Sequence, residues 1–303
     1  MPTSHAHLLA RAADRIETGY VFPERATEIA SALRSRVTDG AYDGLSGREL
    51  CEKVTADLQE VCPDRHLRLL WSDEPHSTEP ADADEDRAAM LETLRRENHG
   101  VRRVERLDGN TGYIDLRRVT EADAGGFAIG AAMQLVAGTD ALVLDLRACS
   151  GGAPSGAALW CSHFFPDDAT HLNDIYDRGT DSTRQFWTSA HLPAPRYLDR
   201  PVYVLTSADT FSGGEDIAYT LQAHERAVIV GERTRGGAHP TAWHALTAHV
   251  TVTVPTARTV SPVTGTNWEG TGVTPDTPAP AAEALDAALA TIREPADTPA
   301  QRR

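Results

Sequence analysis

The stretch VYVLTSADTFSGGEDIAYTLQ, residues 202–222, holds a short apolar run, a polar turn, and a segment whose apolar residues recur at helical spacing. A strand that passes through a turn into a helix is the repeating step of an α/β fold. Ser212 stands in the first turn of that helix. A helix start leaves backbone N–H groups unpaired and carries partial positive charge, so an oxyanion forming beside Ser212 would be stabilised. Gly213 and Gly214 let a substrate carbonyl approach the backbone closely. Serine is also a preferred N-cap, so the segment alone leaves nucleophile and cap both open. Glu215 fits a partner of the helix N-terminus or a group lining a cleft.

Around this unit the α/β pattern continues. Strands are expected at Val101–Leu107, Thr111–Leu116, Ala141–Leu146, Val202–Leu205, Ala227–Val230 and His249–Val254, with helices near Ala122–Val136, Pro154–Phe164 and Gly214–Ala223. The first third reads as helical instead. Leu50, Val54, Leu58 and Val61 follow Ser46 and Glu49, an SxxE capping box, and Pro23 opens a helix carrying Ile29, Leu33 and Val37. PDRHLRLLW (63–71) turns into a strand, and SDEPHSTEPADADED (72–86) is an acidic linker or surface loop. The expected organisation is a helical domain over 1–72, an acidic linker and helix over 73–97, an α/β core over 98–293 and a disordered tail over 294–303.

Forty-four acidic against 29 basic residues give a net charge of −15, which argues against nucleic acid and anionic membrane as partners. No run approaches the ~18 apolar residues of a membrane span, and the amino terminus lacks a basic start followed by an apolar run. Cys51, Cys62, Cys149 and Cys161 have no metal-type spacing and read as reduced thiols of a cytoplasmic protein. No metal site is expected; His5 and His7 form a solvated HxH pair with no third ligand near in sequence. Cys149 lies in a glycine turn with no activating neighbour, and Lys53 is the only lysine in the chain.

Four further segments join the first. DLRACSGG (145–152) is a strand ending in a glycine turn where N–H groups can face an anion. GERTRGGAHP (231–240) is a strand and glycine loop, NWEGTGVTPD (267–276) puts Glu269 in a Gly/Thr loop, and PDRHLRLLW puts His66 at the mouth of a strand. In this order, with TSADTFSGGED, they resemble the serine peptidase family that contains the tail-specific (C-terminal-processing) peptidases, the core of tricorn protease and the repeat units of interphotoreceptor retinoid-binding protein. YVFPE, NHGVRRVERLDGNTGYIDLR and GGAHP look closest to the bacterial branch resembling the retinoid-binding protein. The resemblance runs from about Tyr20 to Asp276.

It implies an α/β, crotonase/ClpP-like core of ββα units with an N-terminal helical domain. Ser212 falls on the nucleophile position, and the N–H groups of Gly213 and of Gly151 or Gly152 on the oxyanion hole. His66 matches the general base of the tricorn-like branch and Glu269 its supporting acid; His239, beside the glycine loop, is the rival base. The implied mechanism is serine acyl transfer through an acyl-enzyme, which calls for no cofactor. Three departures narrow it. The lysine of the tail-specific Ser-Lys dyad would fall near Gly237, where there is none, and arginine does not replace it as a base. The stretch between His66 and Thr111 is too short for an inserted PDZ domain, so recognition of a free protein C-terminus is not expected. Cys149 stands where the family's glycine turn usually has asparagine.

The expected substrate is a peptide or a small-molecule acyl compound. A tailoring enzyme on a small metabolite and a non-catalytic binder of apolar ligands are the other classes the scaffold allows by analogy. Relatives assemble into rings or dimers, so self-association stays open. Trp160, Phe164, Phe165, Phe186 and Trp187 are expected to form a pocket wall or a subunit contact.

Overall fold

The computed structural model describes residues 5–75 and 83–293; the expected tail at 294–303 and positions 76–82 of the acidic linker lie outside the described residues. In chain order the elements are α1 (His5–Gly19), α2 (Pro23–Thr38), α3 (Gly47–Val61), β1 (Arg68–Trp71), α4 (Ala83–Arg96), β2 (Val101–Leu107), β3 (Thr111–Leu116), α5 (Ala122–Val136), β4 (Ala141–Asp145), α6 (Pro154–Ser162), β5 (His171–Asp177), β6 (Ser182–Trp187), β7 (Val202–Thr206), α7 (Gly213–Ala223), β8 (Val228–Gly231), β9 (Thr241–Ala245), β10 (Val250–Pro255), β11 (Ala257–Val260), β12 (Thr277–Pro278) and α8 (Ala284–Arg293). They fall into two compact units. The first takes the chain to Thr93 together with residues 173–186 and 236–271; the second takes residues 94–172, 187–235 and the chain from Gly272.

In the first unit α1, α2 and α3 each bury one stripe: Leu8, Leu9, Ala12, Ala13 and Ile16 of α1, Ala26, Ile29, Ala30 and Leu33 of α2, and Leu50, Cys51, Val54 and Leu58 of α3. Ser46 is the N-cap of α3, but its side chain makes no capping bond. Burial sets this helix, because a buried Leu or Val contributes about 1.5–3 kcal/mol where a cap contributes about 1. The three stripes share one core with Leu69 of β1 and with Val250, Val252 and Val254, the alternate residues of β10. β10 is the middle strand of an antiparallel sheet β1-β10-β9, with Leu69 opposite Val252 and Val252 opposite His244. The outer edge of β1 is closed by Thr55, whose hydroxyl accepts from Leu69 N–H at 2.9 Å and donates to Leu69 C=O at 3.0 Å. The helical region therefore extends beyond position 72, since its apolar faces are covered by valines from the last quarter of the chain. A second sheet, β11-β5-β6, arises where no strands were expected on β5, β6 or β11.

The second unit is built on a six-stranded sheet ordered β12-β8-β7-β4-β3-β2, all parallel except the edge strand β2. Every residue of β3, β4 and β7 is buried, the mark of a parallel sheet covered on both faces. Tyr113, Val143, Tyr203, Leu205 and Val230 on one face pack against Ala284 and Ala288 of α8. Helices α5, α6 and α7 lie in the crossovers β3 to β4, β4 to β7 and β7 to β8, each joining adjacent parallel strands. The carboxyl ends of β4 and β7 thus open side by side into the loops 146–153 and 207–212, the edge of an α/β sheet where ligands bind. The aromatic group expected at a pocket wall or subunit contact is largely core: Trp160 and Phe164 are each 1% exposed, Phe165 and Phe186 are buried, and Trp187 alone of the five is 45% exposed. No helix among the described residues is long and apolar enough to cross a membrane.

Candidate active site

Two groups of candidate residues stand out, one in each unit. In the second unit, the loop after β7 is tied down before it reaches Ser212. Ser207 Oγ donates to Arg147 C=O at 2.6 Å, Thr210 Oγ1 to Leu146 C=O at 2.9 Å, and Phe211 N–H to Cys149 C=O at 3.0 Å. The loop after β4 is anchored in turn by Asp145, which accepts from both sides of the Arg147 guanidinium at 2.9 and 2.6 Å and from Tyr113 Oη at 2.6 Å. Burial would raise the Asp145 carboxyl, but the hydrogen bonds from Arg147 and Tyr113 hold it below the usual carboxylate range.

Between these anchored loops Ser212 adopts φ 50° and ψ −118°, a backbone conformation that costs a non-glycine residue about 1–3 kcal/mol. The strain is held by Glu215, fully buried, which accepts the Ser212 N–H at Oε2 (2.8 Å) and the Thr234 hydroxyl at Oε1 (2.5 Å). Thr234 Oγ1 accepts from Val273 N–H at 2.7 Å. Glu215 is thus the partner of the helix start. Ser212 itself is half-buried.

Gly151 and Gly152, at φ 96° and 142°, bring the β4 loop against α7. A Cβ on Gly151 would lie 2.6 Å from Ser212 Cβ, and one on Gly213 would lie 2.9 Å from Gly152 O and 3.0 Å from Gly152 N. Gly151 N–H faces the Cys149 thiol and partly offsets the burial that pushes this thiol up to about 12, so Cys149 is no thiolate nucleophile. No described residue accepts from the N–H groups of Gly152 or Gly213. Two neighbouring amides with no acceptor, beside a serine on a strained strand-to-helix turn, are suited to an oxyanion on a tetrahedral centre.

In the first unit three loops meet. Asp64 opens an Asx turn in which its Oδ1 accepts from His66 N–H at 3.0 Å. Its Oδ2 accepts from Tyr20 Oη at 3.0 Å and pairs with His239 Nδ1 at 2.7 Å. Glu269 accepts from Ala238 N–H at 2.6 Å and Arg65 N–H at 3.4 Å, and its Oε2 lies 3.6 Å from His239 Nδ1. Trp268 Nε1 donates to Gly237 C=O at 2.8 Å and locks the Glu269 loop onto the GGAHP loop. The His239 ring meets Phe22 edge-on, with centroids 5.6 Å apart.

The electrostatics follow from burial and pairing. Burial works against the His239 imidazolium, but the Asp64 bond and charge, with the Glu269 charge, raise its pKa above the ordinary histidine value. Burial works against the Asp64 carboxylate too; His239 and the His66 N–H outweigh it and hold Asp64 low. Glu269 is pushed up to about 7, first by burial and then by the Asp64 charge. The ring that shares both carboxylates is that of His239, while His66 is buried with its C=O accepting from Thr253 Oγ1 at 2.6 Å. Asp64 was not singled out from sequence, although it stands two residues before His66 in the PDRH turn. Lys53 sits on α3 paired with Asp57 at 2.5 Å.

A model of Peptidase family S41 matches residues 110–279, more than half of the chain. The chain belongs to peptidase family S41. This is a family of serine-type peptidases. A second model, the N-terminal domain of S41 peptidases in eukaryotic IRBP, matches residues 3–104. Carboxyl-terminal-processing peptidase 2 from the chloroplast of Arabidopsis thaliana is 32% identical over 178 residues, 56% of this S41 chain and 32% of that protein. The chain thus spans about a third of that relative's length. Among solved structures, a lipoprotein from Streptococcus agalactiae superposes with a TM-score of 0.58 at 16% identity over 96% of both chains. Tricorn protease does so with a TM-score of 0.55 at 13% identity over 96% of this chain and 37% of that one. At these identities the structural likeness is one of fold, the α/β sheet with N-terminal helices described above.

Proposed function

We propose that the chain is a serine hydrolase of peptide or related acyl bonds, with Ser212 as nucleophile. The observation that carries this is Ser212 held in its strained turn beside the acceptor-free amides of Gly152 and Gly213. In the proposed reaction a general base takes the Ser212 proton as Oγ attacks the substrate carbonyl. The oxyanion is stabilised by the two amides, the base returns the proton to the leaving group, and water then hydrolyses the acyl-enzyme. Nothing in these steps calls for a cofactor.

For the base we favour His239 over His66. A hydrogen bond from Nδ1 to a buried carboxylate fixes the tautomer that leaves Nε2 able to accept a proton, and the 2.7 Å Asp64–His239 pair supplies that bond. Asp64 then takes the orienting part, and Glu269 adds negative charge that favours the imidazolium formed during attack. Four buried free cysteines are in keeping with the cytoplasm.

The test compares hydrolysis of casein and short peptides with that of small esters and thioesters. Peptide cleavage that disappears in Ser212→Ala supports the proposal, and cleavage that survives it refutes it. Ester or thioester turnover without peptide cleavage would reassign the chain to a small-metabolite hydrolase. His239→Ala is expected to lower turnover by on the order of 10³-fold or more; if His66→Ala does so and His239→Ala does not, His66 is the base.

A further inference from the structure

Asp64, His239 and Glu269 come from three separate loops and bring one ligand atom each within 4.8 Å of one another. His239 Nδ1 lies 2.7 Å from Asp64 Oδ2 and 3.6 Å from Glu269 Oε2. A tetrahedral Zn²⁺ with bonds of about 2.0–2.2 Å places its donors roughly 3.3–3.5 Å apart. The Glu269 distance is already close to this, and the Asp64 pair needs to open by about 0.6–0.8 Å. Orienting a histidine takes one carboxylate, and Asp64 provides it at hydrogen-bond distance. Glu269 faces the same nitrogen from beyond that distance, held there by Ala238 and Arg65 N–H groups. Two carboxylates converging on one imidazole nitrogen form a donor set for a dication. Outer support is present as well: Tyr20 Oη donates to Asp64 Oδ2 at 3.0 Å, the kind of bond that orients a carboxylate ligand.

We infer that Asp64 Oδ2, His239 Nδ1 and Glu269 Oε2 form a site for one divalent cation of the Zn²⁺ class, and that its occupancy switches the hydrolase off. Binding does not depend on the proposed function, whereas inhibition rests on His239 being the base. The cation forms a bond to Nδ1 and the Nδ1–H bond breaks. The neutral ring then carries its one proton on Nε2, delivered through solvent. In that tautomer Nε2 is a donor and cannot take the Ser212 proton. Two carboxylates and a dication leave the set without net charge.

The test titrates Zn²⁺ into Ser212→Ala protein, which keeps all three donors and cannot be acylated, against a chromophoric chelator in metal-free buffer. One equivalent is expected to bind. Affinity should fall by at least ~100-fold when His239→Ala or the isosteric Glu269→Gln is added, with folding checked by circular dichroism. It should not change when His5→Ala and His7→Ala are added. Absence of stoichiometric binding, retention of affinity in both donor variants, or loss with the His5/His7 pair would overturn the site. With the native enzyme, Zn²⁺ should abolish hydrolysis and EDTA restore it. Binding at the three donors without inhibition would refute the switch and the assignment of His239 as base, and leave the metal site standing.

Discussion

Asp64, His239 and Glu269 share one buried cluster in which the two carboxylates are pushed in opposite directions, Asp64 below its usual range and Glu269 up to about 7. With His239 as the proposed base, hydrolysis needs its ring neutral, so kcat/KM should rise with pH through a midpoint above the ordinary histidine value of 6.5. Because the Glu269 charge favours the imidazolium, Glu269→Gln should move that midpoint to lower pH; an unchanged or higher midpoint in the pH–rate profile would contradict the coupling. Stability follows by linkage. Between its usual 4.5 and about 7, Glu269 keeps a proton in the native state that it loses on unfolding, so its contribution falls as pH rises through that window. His239, with its raised value, contributes fully below 6.5 and loses its contribution as pH rises through the native value. Asp64 has the reverse sign: its contribution is present above 3.8 and is lost as pH falls through its lowered native value. Denaturant titrations of Glu269→Gln against the native chain should show a flatter profile between pH 4.5 and 7 in the variant. This chemistry was only partly legible in the sequence. His239 and Glu269 lie in glycine loops that draw the eye, whereas Asp64 looks like any turn aspartate until the fold brings it to a partner 175 residues away.

At the level of elements, the strain at Ser212 depends on the glycine turn after β4 and on the Glu215–Thr234–Val273 chain of hydrogen bonds. A Cβ on Gly152 would lie 1.9 Å from Val119 O at φ 142°, so Gly152→Ala should cost at least ~2 kcal/mol and remove activity. Gly138→Ala, whose Cβ meets nothing within 4 Å, should be neutral or slightly stabilising. Thr234→Val strips a donor from Glu215 and an acceptor from Val273, an expected loss of about 1–3 kcal/mol with weakened turnover. Thermal melts and turnover measured together would check all three. The elements that carry these residues were readable because physical pattern and burial agree: β2, β3 and α5 run over the residues expected from sequence. β6 and β9 are not legible in the sequence because they are mostly exposed or half-buried and lack an apolar alternation. The Ser46 capping box is the converse, a sequence signature whose side-chain bond the helix does without.

Over the whole molecule, the order of the five motifs was legible and the division into units was not, because the helical stripes of the amino-terminal third find their cover in β10. A fragment of residues 1–72 lacks Val250, Val252 and Val254 and is expected to remain largely unfolded by circular dichroism; a cooperative melt of that fragment would show that the helices close a core of their own. The same long-range closure brings the loops of Asp64, His239 and Glu269 together, while the parallel sheet of the second unit aligns the loops of Ser212 and Gly152. Membership of the S41 family and the strained serine turn support the proposal that Ser212 is an activated nucleophile. The direct measurement is treatment of the native chain with a fluorophosphonate probe, followed by intact mass and peptide mapping. A single adduct on Ser212, absent from the Ser212→Ala variant, is the result expected. A native chain that stays unmodified, or an adduct on another residue, would contradict it.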